Sequence, residues 1–149
     1  MAEVAARPAA AGHGQGRHAV KRLDPVLLAG ALFGLVGVAA GALGAHGLKE
    51  RLDPAALEWW RTAAQYAQLH AVVLVALALG TRGHRPAIVR VAAIAFSLGI
   101  AIFSGTLVAM ALGGPRMLGA VTPLGGLGLL VGWAAVAVHA LSARGGSPA

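Results

Sequence analysis

His46, Gln65, Tyr66 and His70 are the side chains with the most chemistry to offer in this sequence. His70 ends a mixed polar and aromatic stretch that begins at Glu58, and the purely aliphatic run Ala71 to Leu79 follows it. Tyr66 precedes His70 by four residues, which on a helix brings the two side chains within reach of each other. Thr62, Gln65 and Gln68 spread polarity around more than half of the same helix. A set of this kind can ligate a metal or haem, relay protons, or recognise a quinone or a lipid headgroup. It can also act as a buried polar cluster that fixes helix register, and one histidine with a tyrosine at i−4 favours that structural role.

Other constellations are missing from the sequence. There is no HxxxH, HExxH or paired-carboxylate pattern, and no glycine loop that follows a strand. The chain has no cysteine, so disulfides, thiolate metal sites and cysteine nucleophiles are excluded. Haem held between His46 and His70 needs both rings at one depth, whereas His70 is expected about 12 Å deeper at 1.5 Å per residue. His139 falls on the small-residue face of the last apolar run, suited to a backbone carbonyl or to headgroups. Ser104 and Thr106 lack a nearby base and are expected to bond the preceding helical turn. Glu58 and Arg61 are i,i+3 neighbours that can pair. No catalytic residue, metal or cofactor is expected, and the protein is not expected to be an enzyme.

The elements that carry these residues follow from composition. Of 149 residues, 58% are hydrophobic and 11% charged, against about 25% charged in soluble domains. A chain this short is mostly surface, so its apolar surface must face lipid. Four apolar runs have bilayer-spanning length, over about 26–45, 58–80, 91–112 and 123–142. They predict an all-α, four-transmembrane-helix bundle within residues 23–143, between a disordered basic tail (1–22) and a short tail (144–149). Asp24-Pro25 and Asp53-Pro54 read as helix starts, with aspartate as N-cap and proline at the first helical position. The second helix is expected to begin near Pro54, with Trp59 and Trp60 at the headgroups. Thr122-Pro123 reads as a further N-cap, and Met117 to Val121 lie at the interface or begin the fourth helix early. Ala40-Gly41-Ala42 resembles a signal-peptide cleavage site, but the first apolar run is too long for a signal core.

The net charge of +7 does not point to nucleic acid. The basic residues punctuate the apolar runs and do not gather on one face with aromatics between them. Glycines recur at alternating intervals of three and four: Gly30, Gly34, Gly37, Gly41 and Gly44 in the first run, and Gly125, Gly128 and Gly132 in the fourth. Ser97, Ala101, Ser104 and Gly105 add small residues to the third. Such faces let membrane helices approach closely, which predicts a compact left-handed bundle.

Gly41-Ala42-Leu43-Gly44-Ala45-His46-Gly47-Leu48-Lys49 forms an ordered set with Trp60, Thr62-Ala63, Tyr66, His70-Ala71 and Phe103-Ser104-Gly105. Thr122-Pro123-Leu124-Gly125-Gly126, followed by Trp133, completes it. Over Pro25 to Leu141 the chain resembles the YgdD family of small bacterial membrane proteins of unknown function, which has animal relatives. The resemblance implies a four-helix, multi-pass inner-membrane protein and imports no reaction. His46, Tyr66, His70, Thr122, Pro123 and Gly125 match motif positions without assigned roles. The long tail before Asp24 departs from the compact members.

The expected role is therefore an accessory, assembly or structural one beside a membrane-protein partner or a second copy, in contact with the lipid bilayer. The alternative is a small-molecule transporter or binder built on Gln65, Tyr66 and His70. Orientation follows from the excess of Lys and Arg beside the N-terminus, the Arg82–Arg90 turn and the C-terminus, which places both termini in the cytoplasm. A C-terminal fusion to a reporter that works only in the cytoplasm is expected to be active. Activity only from an outward-working reporter would reverse this topology.

Overall fold

The computed structural model describes residues 23–81 and 85–142. The basic tail, Arg82 and His84 of the second turn, and the C-terminal tail lie outside them. The described residues form four long helices: α1 Pro25–Ala45, α2 Pro54–Gly80, α3 Ala87–Ala111 and α4 Thr122–Ser142. A short 3-10 turn, Arg116–Ala120, leads into α4. All four helices are long and apolar enough to cross a bilayer. The chain is an all-α, multi-pass membrane protein.

The aspartates start their helices as local chemistry dictates. Asp24 Oδ1 accepts from the amides of Val26 (3.0 Å) and Leu27 (3.3 Å). Asp53 Oδ1 accepts from Ala55 (2.9 Å) and Ala56 (3.0 Å). Asp24 does more than cap. Arg85, in the turn between α2 and α3, donates to both of its oxygens, the shorter bond being 2.8 Å. That hydrogen bond is the main reason the Asp24 carboxyl is held below its usual pKa. Arg85 also donates to Thr81 Oγ1 at 3.1 Å, so the clasp ties the start of α1 to the end of α2.

Packing runs in chain order: α1 lies on α2, α2 on α3, and α3 on α4, with a light touch between α1 and α3. The backbones of α1 and α4 do not approach each other, nor do those of α2 and α4. The bundle is therefore more open than the glycine faces alone suggest. Each face is used within one hairpin, α1 against α2 and α4 against α3, and neither is left to join α1 to α4. A Cβ on Gly30, Gly37 or Gly44 would lie 2.9, 2.9 and 2.7 Å from Val75, Gln68 and Trp60 of α2. One on Gly128 would lie 3.2 Å from the Gly99 backbone, and one on Gly132 2.7 Å from the Phe96 ring. Phe96, Leu74, Ile100 and Val89 are the largest fully buried side chains, and all belong to the central pair α2 and α3.

Several local expectations need correction. α3 begins four residues early, at Ala87, with Pro86 before it and no side-chain cap, so Arg90 lies one turn inside the helix. Thr122 does not act as an N-cap. The 3-10 turn has already coiled the chain when it reaches Thr122, and the hydroxyl turns back to the Leu118 carbonyl (3.1 Å) and to Thr106 Oγ1 (2.9 Å). Trp60 is buried against the end of α1, where Gly44 leaves room for its ring and its indole donates to the Ala40 carbonyl at 2.7 Å. Gly105 is not a packing position, since nothing lies within 4 Å of a Cβ placed there. Among the described residues Glu58 and Arg61 form no ion pair.

Two alanine substitutions separate packed from open glycines. A Cβ at Gly125 would run into the backbone of Phe103, which cannot swing away as a side chain tip would. Gly125→Ala is expected to cost about 1–3 kcal/mol through overpacking and to lower the unfolding temperature in detergent. Gly105→Ala should unfold with the parent. Equal behaviour of the two variants would reject this packing of α4 on α3.

Candidate functional site

His70 occupies the middle of the membrane domain. It is 3% exposed and sits among Phe96 of α3 and Trp133 of α4, with ring centroids 5.5 and 6.2 Å away. Trp133 lies at the midpoint of α4, which fixes the depth of His70 near the bilayer centre. A polar ring there must have its hydrogen bonds met within the protein, and both ring nitrogens are. Nδ1 lies 2.8 Å from the Tyr66 carbonyl. The Trp133 indole donates to Nε2 at 3.3 Å. An indole only donates, so Nε2 is the acceptor and Nδ1 carries the proton given to Tyr66. The partner at i−4 is thus the backbone of Tyr66 and not its phenol. The phenol ring stacks on the imidazole at 5.8 Å and packs on Phe103 at 4.6 Å.

The remaining sequence-derived candidates divide into three groups. Gln68 belongs to the α1–α2 seam, where it donates to the Gly37 carbonyl at 2.8 Å and rests beside Gly41. Ser104 reaches across to the Ala63 carbonyl of α2 at 2.9 Å, not back along its own helix. Gln65 faces outward and is exposed. His46 is exposed at the C-cap of α1. It lies just beyond Gly44, which packs on Trp60, so about 15 Å of helix rise separates its level from that of His70. Tyr66 and His70 are brought together, Gln65 sits one turn away on the outer surface, and His46 stands apart. Thr122, Pro123 and Gly125 gather at the start of α4, beside Phe103 and Thr106.

Between α2 and α4 lies a recess of about 630 Å³ lined by Tyr66, Leu69, His70, Phe103, Leu130 and Trp133. It opens sideways to the bilayer because the two backbones stay apart. Tyr66 is 39% exposed and Trp133 45%. Among the described residues the Tyr66 hydroxyl has no hydrogen-bond partner, so it is the polar group the recess offers to a ligand. Neither nitrogen of His70 can take a metal without giving up a bond already made. No cluster of three or more metal-ligating side chains occurs among the described residues.

Trp133 is the site residue that sequence reasoning passed over as a partner of His70. Its signal was depth, because tryptophan favours the membrane interface and this one lies in mid-span. Removing one partner of a buried hydrogen bond costs about 1–3 kcal/mol, whereas removing both can be nearly neutral. Trp133→Phe and His70→Phe are each expected to destabilise the protein in thermal unfolding, and the double variant by less than their sum. Strict additivity would show that the two rings do not interact.

A family model described as "Protein of unknown function (DUF423)" matches residues 40–126. A UPF0382 membrane protein of Staphylococcus epidermidis is 34% identical over 119 residues, covering 80% of this chain and 97% of that protein. UPF0382 membrane protein YwdK of Bacillus subtilis is 34% identical over 116 residues, with 77% and 94% covered. UPF0382 inner membrane protein YgdD of Escherichia coli is 32% identical over 116 residues, with 78% and 88% covered. No solved structure matches. The family match takes in the whole of α2 and α3 and the residues His46, Tyr66 and His70, and the relatives, named as membrane proteins, agree with the four spans in placing the protein in the cell membrane. The chain belongs to the DUF423/UPF0382 family of membrane proteins, in which the YgdD resemblance had set it.

Proposed function

We propose that this protein is a non-enzymatic accessory of the cell membrane that docks side-on to a larger membrane partner. The observation that carries the reading is Gln65. It lies on the outward face of α2 with Glu58, Thr62, Leu69 and Val72, a stripe at alternating intervals of four and three residues. Five residues from His70, it sits about 7.5 Å from the membrane centre, well inside a hydrocarbon core about 15 Å deep on each side. Among the described residues its amide has no hydrogen-bond partner. An amide turned toward lipid lacks water, and membrane helices meet this need by hydrogen-bonding to a neighbouring helix. The connections between the helices are short, and specificity is left to the lateral faces.

A second reading rests on a separate observation, the unpartnered Tyr66 hydroxyl in the recess between α2 and α4. There the protein binds or moves a lipophilic small molecule that carries a hydrogen-bond acceptor.

A crosslinked, tagged pull-down from native membranes tests the first reading. The wild type is expected to recover one stoichiometric membrane protein. Gln65→Leu should accumulate normally and recover several-fold less of it, as expected from the loss of about 1 kcal/mol per intramembrane hydrogen bond. Undiminished recovery by Gln65→Leu, or recovery of no partner at all, sinks the docking reading and moves attention to Tyr66.

A further inference from the structure

We infer that the trough between α1 and α3 is a binding site for an anionic phospholipid. The trough encloses about 460 Å³ and is lined by Val26, Ala29, Ala93, Ile94 and Leu98, with Arg85 and Arg90 at its mouth. That volume lies within the range of about 300–1,000 Å³ typical of small-ligand sites. α1 and α3 touch only lightly, so the trough stays open to the bilayer and a lipid enters sideways. Ser97 is the one hydroxyl along it. Its hydroxyl donates to the Ala93 carbonyl at 2.8 Å, which leaves the floor apolar and suited to an acyl chain.

The mouth has the chemistry of a phosphate seat. Asp24 neutralises Arg85 across a 2.8 Å contact. Arg90 is exposed and makes no ion pair among the described residues, so Asp24, Arg85 and Arg90 together carry one net positive charge. Arg90 lies one turn inside α3. From that position a guanidinium extends along the helix to the headgroup level while its stem stays in the apolar layer. Its planar fork of N–H donors matches phosphate oxygens. Arg85 cannot turn fully to a phosphate, because its donors already serve Asp24 and Thr81, so Arg90 is the principal contact. A lipid whose headgroup adds an ammonium gains less from this net charge than one that is anionic overall. A soluble anion cannot use the apolar floor.

The full chain, purified and delipidated in detergent, provides the test by native mass spectrometry with phosphatidylglycerol and phosphatidylcholine of matched acyl chains. Phosphatidylglycerol should be retained in preference, and Arg90→Gln should lower its retention about fivefold, the equivalent of about 1 kcal/mol per basic residue near an anionic surface. Arg90→Gln leaves the Asp24–Arg85 clasp intact and should unfold at the parent temperature without lipid. Ile94→Trp, which fills the trough from an exposed position, should lower retention of phosphatidylglycerol while leaving Arg90 in place. Equal retention of the two lipids by the wild type, unchanged retention by Arg90→Gln, or displacement of phosphatidylglycerol by excess inorganic phosphate would each overturn the assignment. The last result would mark a simple anion site.

Discussion

Inside hydrocarbon every donor must find an acceptor in the protein, because no water is there to serve it. For three donors of this chain the acceptor is a carbonyl of a neighbouring helix, and in the α1–α2 seam glycine brings that carbonyl near. Trp60 reaches the Ala40 carbonyl, Gln68 reaches that of Gly37, and Ser104 reaches that of Ala63. Each of these carbonyls lies within a helix and accepts through its second lone pair. The glycines at 37 and 44 are therefore not merely small. A methyl group at either would meet the polar side chain that has come to bond. Packing and hydrogen bonding in the α1–α2 seam are one constraint, and it holds the first hairpin together.

The same rule divides the two faces of α2. On the inner face Trp60 and Gln68 donate to α1, and His70 bonds Trp133 of α4 and the Tyr66 carbonyl of its own helix. On the outer face Gln65 and the Tyr66 hydroxyl have no match among the described residues. Polar groups that merely fix register would be expected on the inner face alone, since an outward amide adds cost without adding a contact. The unmatched groups are thus the ones that call for something beyond this chain. They stand on α2, which packs on both α1 and α3, so whatever binds there meets one of the two central helices of the fold.

Much of this was legible in the sequence, and what was legible is local. Span lengths follow from apolar runs. The starts at Asp24 and Asp53 follow from an aspartate-proline pair, whose bonds reach only two or three residues. The glycine faces follow from their three-and-four spacing, although the spacing does not say which helix each face meets. What was missed depends on distant partners. Arg85 and Asp24 are 61 residues apart and Trp133 and His70 are 63 apart, and nothing local in either pair announces the other. Trp60 and Ala40 are 20 residues apart, and the burial of that indole depends on a glycine of another helix, Gly44. Thr122 has the sequence of a cap but lies after a turn that has already coiled the chain.

The two hairpins are joined unequally, and the inequality shapes the candidate site. α1 is fixed to α2 by glycine contacts along its length and by the Asp24–Arg85 clasp at its start. α4 is fixed to α3 just as closely, through Gly125, Gly128 and Gly132. Between α2 and α4, however, the backbones do not meet, and the connection across the recess is made by side chains, with the Trp133 indole on His70 as its polar contact. α3, packed on both helices, holds the walls of the recess, and one pair of rings bridges it. A ligand that entered beside Tyr66 would press on that pair first. His70, with both nitrogens committed, would register the intrusion as the loss of the Trp133 bond, while the bond to Tyr66 within its own helix persisted.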